Sequence, residues 1–180
     1  SADNWFYADV ILVWGGNPAY THIAHYHFIP EARFNGTKVI AITPDLNPSA
    51  VHSDQWIPVN LGTDAALAMS MAQVIIKENL YNEGFIREQT DLPLLVREDT
   101  GKFLRERDVK RGGRDDLFYF YDLTQQRVVE APRKSLALTG LVPALRGAYE
   151  VDALDGKVRV ATVMDCLSRL LDREYTPEQA

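Results

Sequence analysis

The sequence predicts an α/β fold: a parallel-sheet core with a peripheral β-hairpin insertion. Three observations predict it. Residues 1–80 alternate between short apolar runs and helix-period segments joined by short loops. The strand-like runs end in glycine, proline, asparagine or aspartate, as strands entering loops do. From Leu92 the texture turns charge-rich and then resolves into two hairpin patterns.

The elements follow in order. Val10 to Trp14 is a continuous apolar run bounded by glycine, the pattern of a central parallel strand. His22 to Phe34 has helical character and stops at Asn35-Gly36. Lys38 to Thr43 is a second strand, closed by Pro44-Asp45, and Asn47 to Asp54 is a short turn or helix. Gln55 to Val59 is an edge strand, because Pro58 cannot donate to a ladder. Thr63 to Glu78 is the clearest helix: Thr63 can cap it, Asp64 sits in its first turn, and Ala66, Leu67, Ser70, Met71, Val74 and Ile75 share a face. "LFYFYDLTQQRVVEAP" reads as a hairpin about Thr-Gln-Gln, "AYEVDALDGKVRVAT" as a second about Asp155-Gly156, and "VMDCLSRLLDREY" as an amphipathic helix. Residues 1–91 are expected to form the α/β core and 92–160 a charged loop with the hairpin insertion. Residues 161–180 are expected to return to the core and begin a further element at Thr176-Pro177-Glu178.

Composition narrows the function. The 180 residues are 46% apolar and 24% charged, with a net charge of −6. That balance argues against a nucleic-acid surface, which needs clustered Lys and Arg. No apolar run reaches the roughly 20 residues of a membrane span, and no signal peptide is visible. The single Cys166 cannot build a disulfide or a multi-cysteine metal site, and its periodic apolar setting predicts an inert buried thiol. His22, His25 and His27 invite a metal reading, but His27 turns away from the other two and no acidic residue before Glu31 lies close enough to complete a tetrahedral set, so solvated or capping histidines fit better. "GKFLRERDVKRGGR" is basic but broken by Glu106 and Asp108, which favours a solvated loop or subunit contact over an RNA patch. Both ends of the chain read as cut.

Three loops carry the chemistry. In the first, Trp14-Gly15-Gly16-Asn17-Pro18-Ala19-Tyr20-Thr21, the glycines admit a ligand to the backbone, and the following helix offers unpaired N–H groups to a phosphate. It is not G-x-G-x-x-G, and a plain strand-to-helix turn explains it equally well. In the second, Thr43-Pro44-Asp45-Leu46-Asn47, Asp45 is placed to grip ribose hydroxyls at the end of strand two, while Asp and Asn as turn formers remain the alternative. In the third, Gly62-Thr63-Asp64, Thr63 as a cap and Asp64 at a helix N-terminus need no ligand. Yet a carboxylate can also accept both adjacent N–H donors of a guanine edge. Parallel strands would bring all three loops to one rim, suited to a large phosphorylated guanine nucleotide.

At this point "WGGNPAYT", "AITPDLNPSAVHSDQWIPVNLGTDAALAMSMAQVIIKENLYNEGFI", "GKFLRERDV", "FYFYDL" and "YTPE" resemble the catalytic subunit of a molybdopterin oxidoreductase of the dimethyl sulfoxide reductase family. The resemblance covers nearly the whole chain and is most specific from Thr43 to Phe85. "LVREDTGKFLRERDVKRGGRDDLFYFYD" is similar to the branch of nitrate, selenate, chlorate and perchlorate reductases, together with dimethyl sulfide and ethylbenzene dehydrogenases and nitrite oxidoreductase. The resemblance implies a dinucleotide-binding (Rossmann-like) domain gripping one guanine dinucleotide of a molybdenum bis(molybdopterin guanine dinucleotide) cofactor. Its contacts would be Trp14, Gly15, Gly16, Asn17, Pro18, Thr21, Thr43, Pro44, Asp45, Leu46, Asn47, Gly62, Thr63 and Asp64, with the pyrophosphate near the glycine turn and Asp64 and Asp45 on guanine or ribose.

It also implies an internal fragment. An iron–sulfur cluster and the molybdenum-ligand aspartate would lie upstream, and the second dinucleotide would be held by a later domain. The chain is expected to hold no catalytic and no metal-ligating residues and to be inactive alone. The parent would act by oxygen-atom transfer or hydroxylation on a small molecule or oxyanion and pass electrons to an iron–sulfur beta subunit, with no nucleic acid and no direct membrane insertion. It would be bacterial or archaeal, on the periplasmic or cytoplasmic face of the membrane, periplasmic preferred. Relatives often read Pro-Asp-Ala-His where this chain has Ala24-His25-Tyr26-His27, so the substrate stays open. Two other readings are a non-catalytic scaffold like the large iron–sulfur subunit of complex I, disfavoured by Asp45 and Gly62-Thr63-Asp64, and an NAD-binding domain, disfavoured by the absent G-x-G-x-x-G.

Overall fold

The computed structural model describes residues 2–132 and 138–178. It is a mixed α/β structure in two compact units, residues 1–67 and 68–180.

In the first unit a 3-10 turn, Ala2–Tyr7, leads into β1 (Val10–Trp14). Three short helices follow, α1 (Pro18–Thr21), α2 (Ile23–Tyr26) and α3 (Phe28–Phe34). Then come β2 (Lys38–Ile42), α4 (Pro48–Val51) and β3 (Gln55–Ile57). The strands form a parallel sheet in the order β1-β2-β3, with Trp14 beside Ile42 and Ile42 beside Ile57. Ile11, Val13 and Val39 face Ile29, Trp5 and Tyr26 to make the core. Asp54 ties it down: one carboxylate oxygen takes the Val39 N–H at 2.8 Å and the other the Arg33 guanidinium at 2.6 Å. Those two bonds hold its carboxyl below the usual range.

Three expectations change here. The centre of the sheet is β2, not β1; β1 lies at an edge, and Val10 and Leu12 on its outer face are 49% and 44% exposed. The helix expected over 22–34 is broken into separate turns. Pro30 has no N–H for the Tyr26 carbonyl and its ring crowds that carbonyl, so no continuous helix can cross from 26 to 30. The edge position of β3 is as expected, but the strand stops at Ile57, before Pro58.

The helix α5 (Asp64–Lys77) is where expected, and its expected face is found in part, with Ser70 buried and Ala66, Leu67 and Val74 half-buried. Ser70 and Gln73 are buried while Met71 and Ile75 are about two-fifths exposed. Gln73 lies outside the expected face and is held by a polar bond the periodicity cannot announce: its Nε2 donates to Asp172 Oδ1 at 2.8 Å.

The second unit continues with α6 (Glu83–Gln89), β4 (Leu95–Arg97) and α7 (Glu106–Val109). The hairpin β5 (Tyr119–Asp122) and β6 (Arg127–Glu130) follows, then β7 (Ala148–Ala153), β8 (Gly156–Thr162) and α8 (Val163–Glu174). Both hairpins lie where the sequence places them. The strand β4 was not foreseen; it pairs antiparallel with β8 to give a sheet β4-β8-β7. Leu95, Leu104, Tyr119, Val158 and Val160 form its core. Arg97, 7% exposed, is bonded to Asp99 and to Asp155 at 2.7 Å each and so clamps the β7–β8 turn. Thr162 caps α8 by accepting the Asp165 N–H, and Met164 and Leu171 are fully buried beneath the helix. Cys166 is half-buried rather than buried. It lies in an open cleft of about 390 Å³ and its Sγ is 3.7 Å from the Arg169 guanidinium. At the helix start expected at Thr176-Pro177-Glu178 the described residues form a turn at Pro177 and Glu178, and residues 179–180 lie outside the described residues.

A candidate nucleotide-binding rim

All three loops singled out by the sequence leave the sheet of the first unit at its carboxyl edge. Parallel register dictates this. Trp14, Ile42 and Ile57 are the last residues of their strands and stand side by side. The Gly15 N–H donates to Ile42 O at 2.9 Å and the Thr43 N–H to Ile57 O at 3.3 Å, so the ladder continues one step into the loops. Such an edge is where open α/β sheets bind ligands.

Side chains then fasten the loops to one another. The Trp14 indole N–H donates to Asp64 Oδ1 at 2.8 Å, joining the end of β1 to the start of α5 across fifty positions. Ser49 Oγ accepts the Ala19 N–H at 3.0 Å and donates to Asn17 Oδ1 at 2.8 Å, joining the first loop to α4. Asn47 Oδ1 accepts from the Ser49 and Ala50 N–H groups and caps α4. Thr43 Oγ donates to Asp45 O, and Thr43 O accepts the Trp56 indole N–H. Asp64, held to the end of β1, and Asp45, in the loop after β2, both belong to this carboxyl edge of the sheet.

The candidate residues divide by what they do. Thr43 and Asn47 are buried and spend their side chains on the loop itself. Thr21 Oγ donates back to Asn17 O, and Thr63 Oγ donates to Asn60 O. Pro18 is the first residue of α1, where no N–H is needed. Gly15, Pro44, Asp45, Leu46, Gly62 and Thr63 are exposed along the rim, with Gly16, Asn17 and Asp64 half-buried beside them. Gly15 and Gly62 have φ of +60° and +85°, where a side chain is strained, and nothing lies within 4 Å of where a Cβ would stand. That is open space directly against the backbone.

One expectation is overturned. The helix after β1 was to offer unpaired N–H groups to a phosphate. Instead α1 has four residues, its Ala19 N–H is taken by Ser49 and its Tyr20 and Thr21 N–H groups by Asn17 O. The sequence also missed Ser49, because its role comes from a partner thirty-two positions away. The Asn47-Pro48 pair marks the start of α4, but nothing local marks the bond to Asn17.

A profile of the molybdopterin oxidoreductase family matches residues 1–164. The chain belongs to the molybdopterin oxidoreductase family. It is 44% identical over 185 aligned positions to the dimethylsulfide dehydrogenase alpha subunit of Rhodovulum sulfidophilum, covering 99% of this chain and 20% of that protein. It is 40% identical to the perchlorate reductase alpha subunit of Dechloromonas aromatica, covering 98% and 22%. It is also 40% identical to the respiratory nitrate reductase alpha subunit of Haloferax mediterranei, covering 91% and 18%. The chain thus spans about a fifth of the length of these relatives. As a member of this family it is tied to a molybdenum–pterin cofactor. Among the described residues no three His, Cys, Asp or Glu side chains are grouped so as to hold a metal ion, and no helix is long and apolar enough to cross a membrane.

Proposed function

We propose that residues 1–67 supply the rim that grips the guanine dinucleotide end of a molybdenum bis(molybdopterin guanine dinucleotide) cofactor, in the manner of a Rossmann-like domain. The observation that carries this is the convergence of three strand-end loops, with Asp45 exposed and Asp64 half-buried along one edge. Asp64 offers acceptors to the guanine N–H edge, and Asp45 offers them to ribose hydroxyls. The pyrophosphate lies against the Gly15-Gly16 backbone, where the missing Cβ leaves room, and not at the end of α1. Trp14 to Thr21, Thr43 to Asn47 and Gly62 to Asp64 contain no lysine or arginine. Counter-charge for the phosphates comes from other parts of the parent polypeptide.

The residues fit such a group chemically, since they are acceptors and open backbone. The cofactor supplies the redox chemistry when bound, and this chain holds and orients it. The parent is the catalytic alpha subunit of an oxygen-atom transfer or hydroxylation enzyme acting on a small molecule or oxyanion. An iron–sulfur cluster sits in its upstream part, and an iron–sulfur beta subunit is its electron partner. The 180-residue chain alone is inactive, and the parent acts at the periplasmic or the cytoplasmic face of the membrane, with the periplasmic face preferred.

The test uses the parent. Asp64→Asn and Asp45→Asn together are expected to lower both its molybdenum content and the GMP released by acid hydrolysis to under about a tenth of wild type. Unchanged GMP and molybdenum would remove the rim from cofactor binding.

A further inference from the structure

We propose that Trp14 is a positioning residue: its indole N–H fixes the rotation of the Asp64 carboxylate so that one acceptor direction on each oxygen faces the ligand. The inference rests on the reading of Asp64 as the base-binding carboxylate. An aspartate χ2 torsion is broad, so an unrestrained carboxylate samples many orientations. The indole N–H is a donor and nothing else. At 2.8 Å it occupies one lone-pair direction of Oδ1. A carboxylate has about four such directions, so Oδ1 keeps one and Oδ2 keeps both.

The remaining pair of adjacent acceptors matches a ligand edge with two adjacent N–H donors, as guanine has. An edge with one donor, as in hypoxanthine, uses only half of it, and adenine presents no such pair. Trp14 is well placed for the task. It ends β1, where register with Ile42 holds its backbone, and Asp64 begins α5, whose first turn favours a carboxylate. Neither end of the bond belongs to a free loop.

The experiment measures binding of GDP, IDP and ADP to the chain by calorimetry. Wild type is expected to prefer GDP over IDP by about tenfold, the value of one charge-assisted hydrogen bond. Trp14→Phe removes the donor. Replacement of Trp14 by benzothienylalanine removes it without changing the shape of the ring system, and serves if the phenylalanine variant does not fold. Both are expected to bring the GDP/IDP ratio to within about twofold, because the freed carboxylate no longer presents two fixed acceptors. If GDP and IDP affinities fall together with their ratio intact, Trp14 is only structural and the proposal is overturned. If wild type binds GDP no better than ADP, the reading of Asp64 itself fails, and the role of Trp14 falls with it. If the ratio persists in the variants while GDP still outbinds ADP, only the Trp14 proposal is lost.

Discussion

Removing one hydroxyl should loosen the rim measurably. Ser49 is 3% exposed and its Oγ both accepts from Ala19 N and donates to Asn17 Oδ1. Ser49→Ala deletes both bonds and leaves two polar groups facing a methyl. Each stranded group costs about 1–3 kcal/mol when fully buried. Ala19 and Asn17 are only half-buried, so water recovers part of this. Alanine is also the better helix former by up to roughly 0.5 kcal/mol. The expected net loss is therefore about 1–2 kcal/mol. The assay is urea unfolding followed by tryptophan emission, which reports this unit because Trp5, Trp14 and Trp56 all lie within residues 1–67. Amide exchange at Ala19 should accelerate in parallel. A midpoint that does not move, with Ala19 exchange unchanged, would refute the idea that Ser49 fastens the first loop to α4.

Other perturbations have defined outcomes. Asp122 has no exposed surface and accepts N–H bonds from Val142, Thr124 and Gln125, of which the Val142 bond contributes most to lowering its pKa. Its stabilisation is complete above the unfolded value of about 3.9 and is lost as pH falls through the depressed folded value; Asp122→Ala should lower the thermal midpoint at pH 7 and flatten its acid dependence. Arg97→Met removes the clamp on Asp99 and Asp155 and the longer 3.7 Å contact to Asp108 and should cost about 1.5–3 kcal/mol, a small value for a buried cation because its two close partners are half-exposed or more and rehydrate; amide exchange in β7 and β8 reads it. Gly113→Ala would place a Cβ 2.5 Å from the Glu106 backbone and should cost about 1–3 kcal/mol in the same assay.

The sequence showed most clearly what local chemistry decides. Strand ends marked by Gly15, Pro44 and Gly156 fell where expected, because glycine and proline act on their own torsion angles. Pro30 is an equally local signal, acting on the helix expected over 22–34 through its missing N–H. What stayed hidden were bonds between distant residues. Gln73 reaches Asp172, Arg97 reaches Asp155, and Ser49 reaches Asn17, at separations of 99, 58 and 32 positions. No periodicity encodes such partners. The candidate site was legible as three loops because glycine, asparagine and aspartate at strand ends are local signals. That Thr43 and Asn47 shore up the loops while Asp45 lies open was not. The two roles use the same residue types.

The most direct measurement is a titration of the isotopically labelled chain with GDP, followed by backbone amide NMR. The account predicts that Gly15, Gly16, Asp45 and Asp64 shift together along one saturation curve, with no such response to ADP. Shifts confined to a single loop, or centred on residues outside 14–21, 43–47 and 62–64, would contradict it.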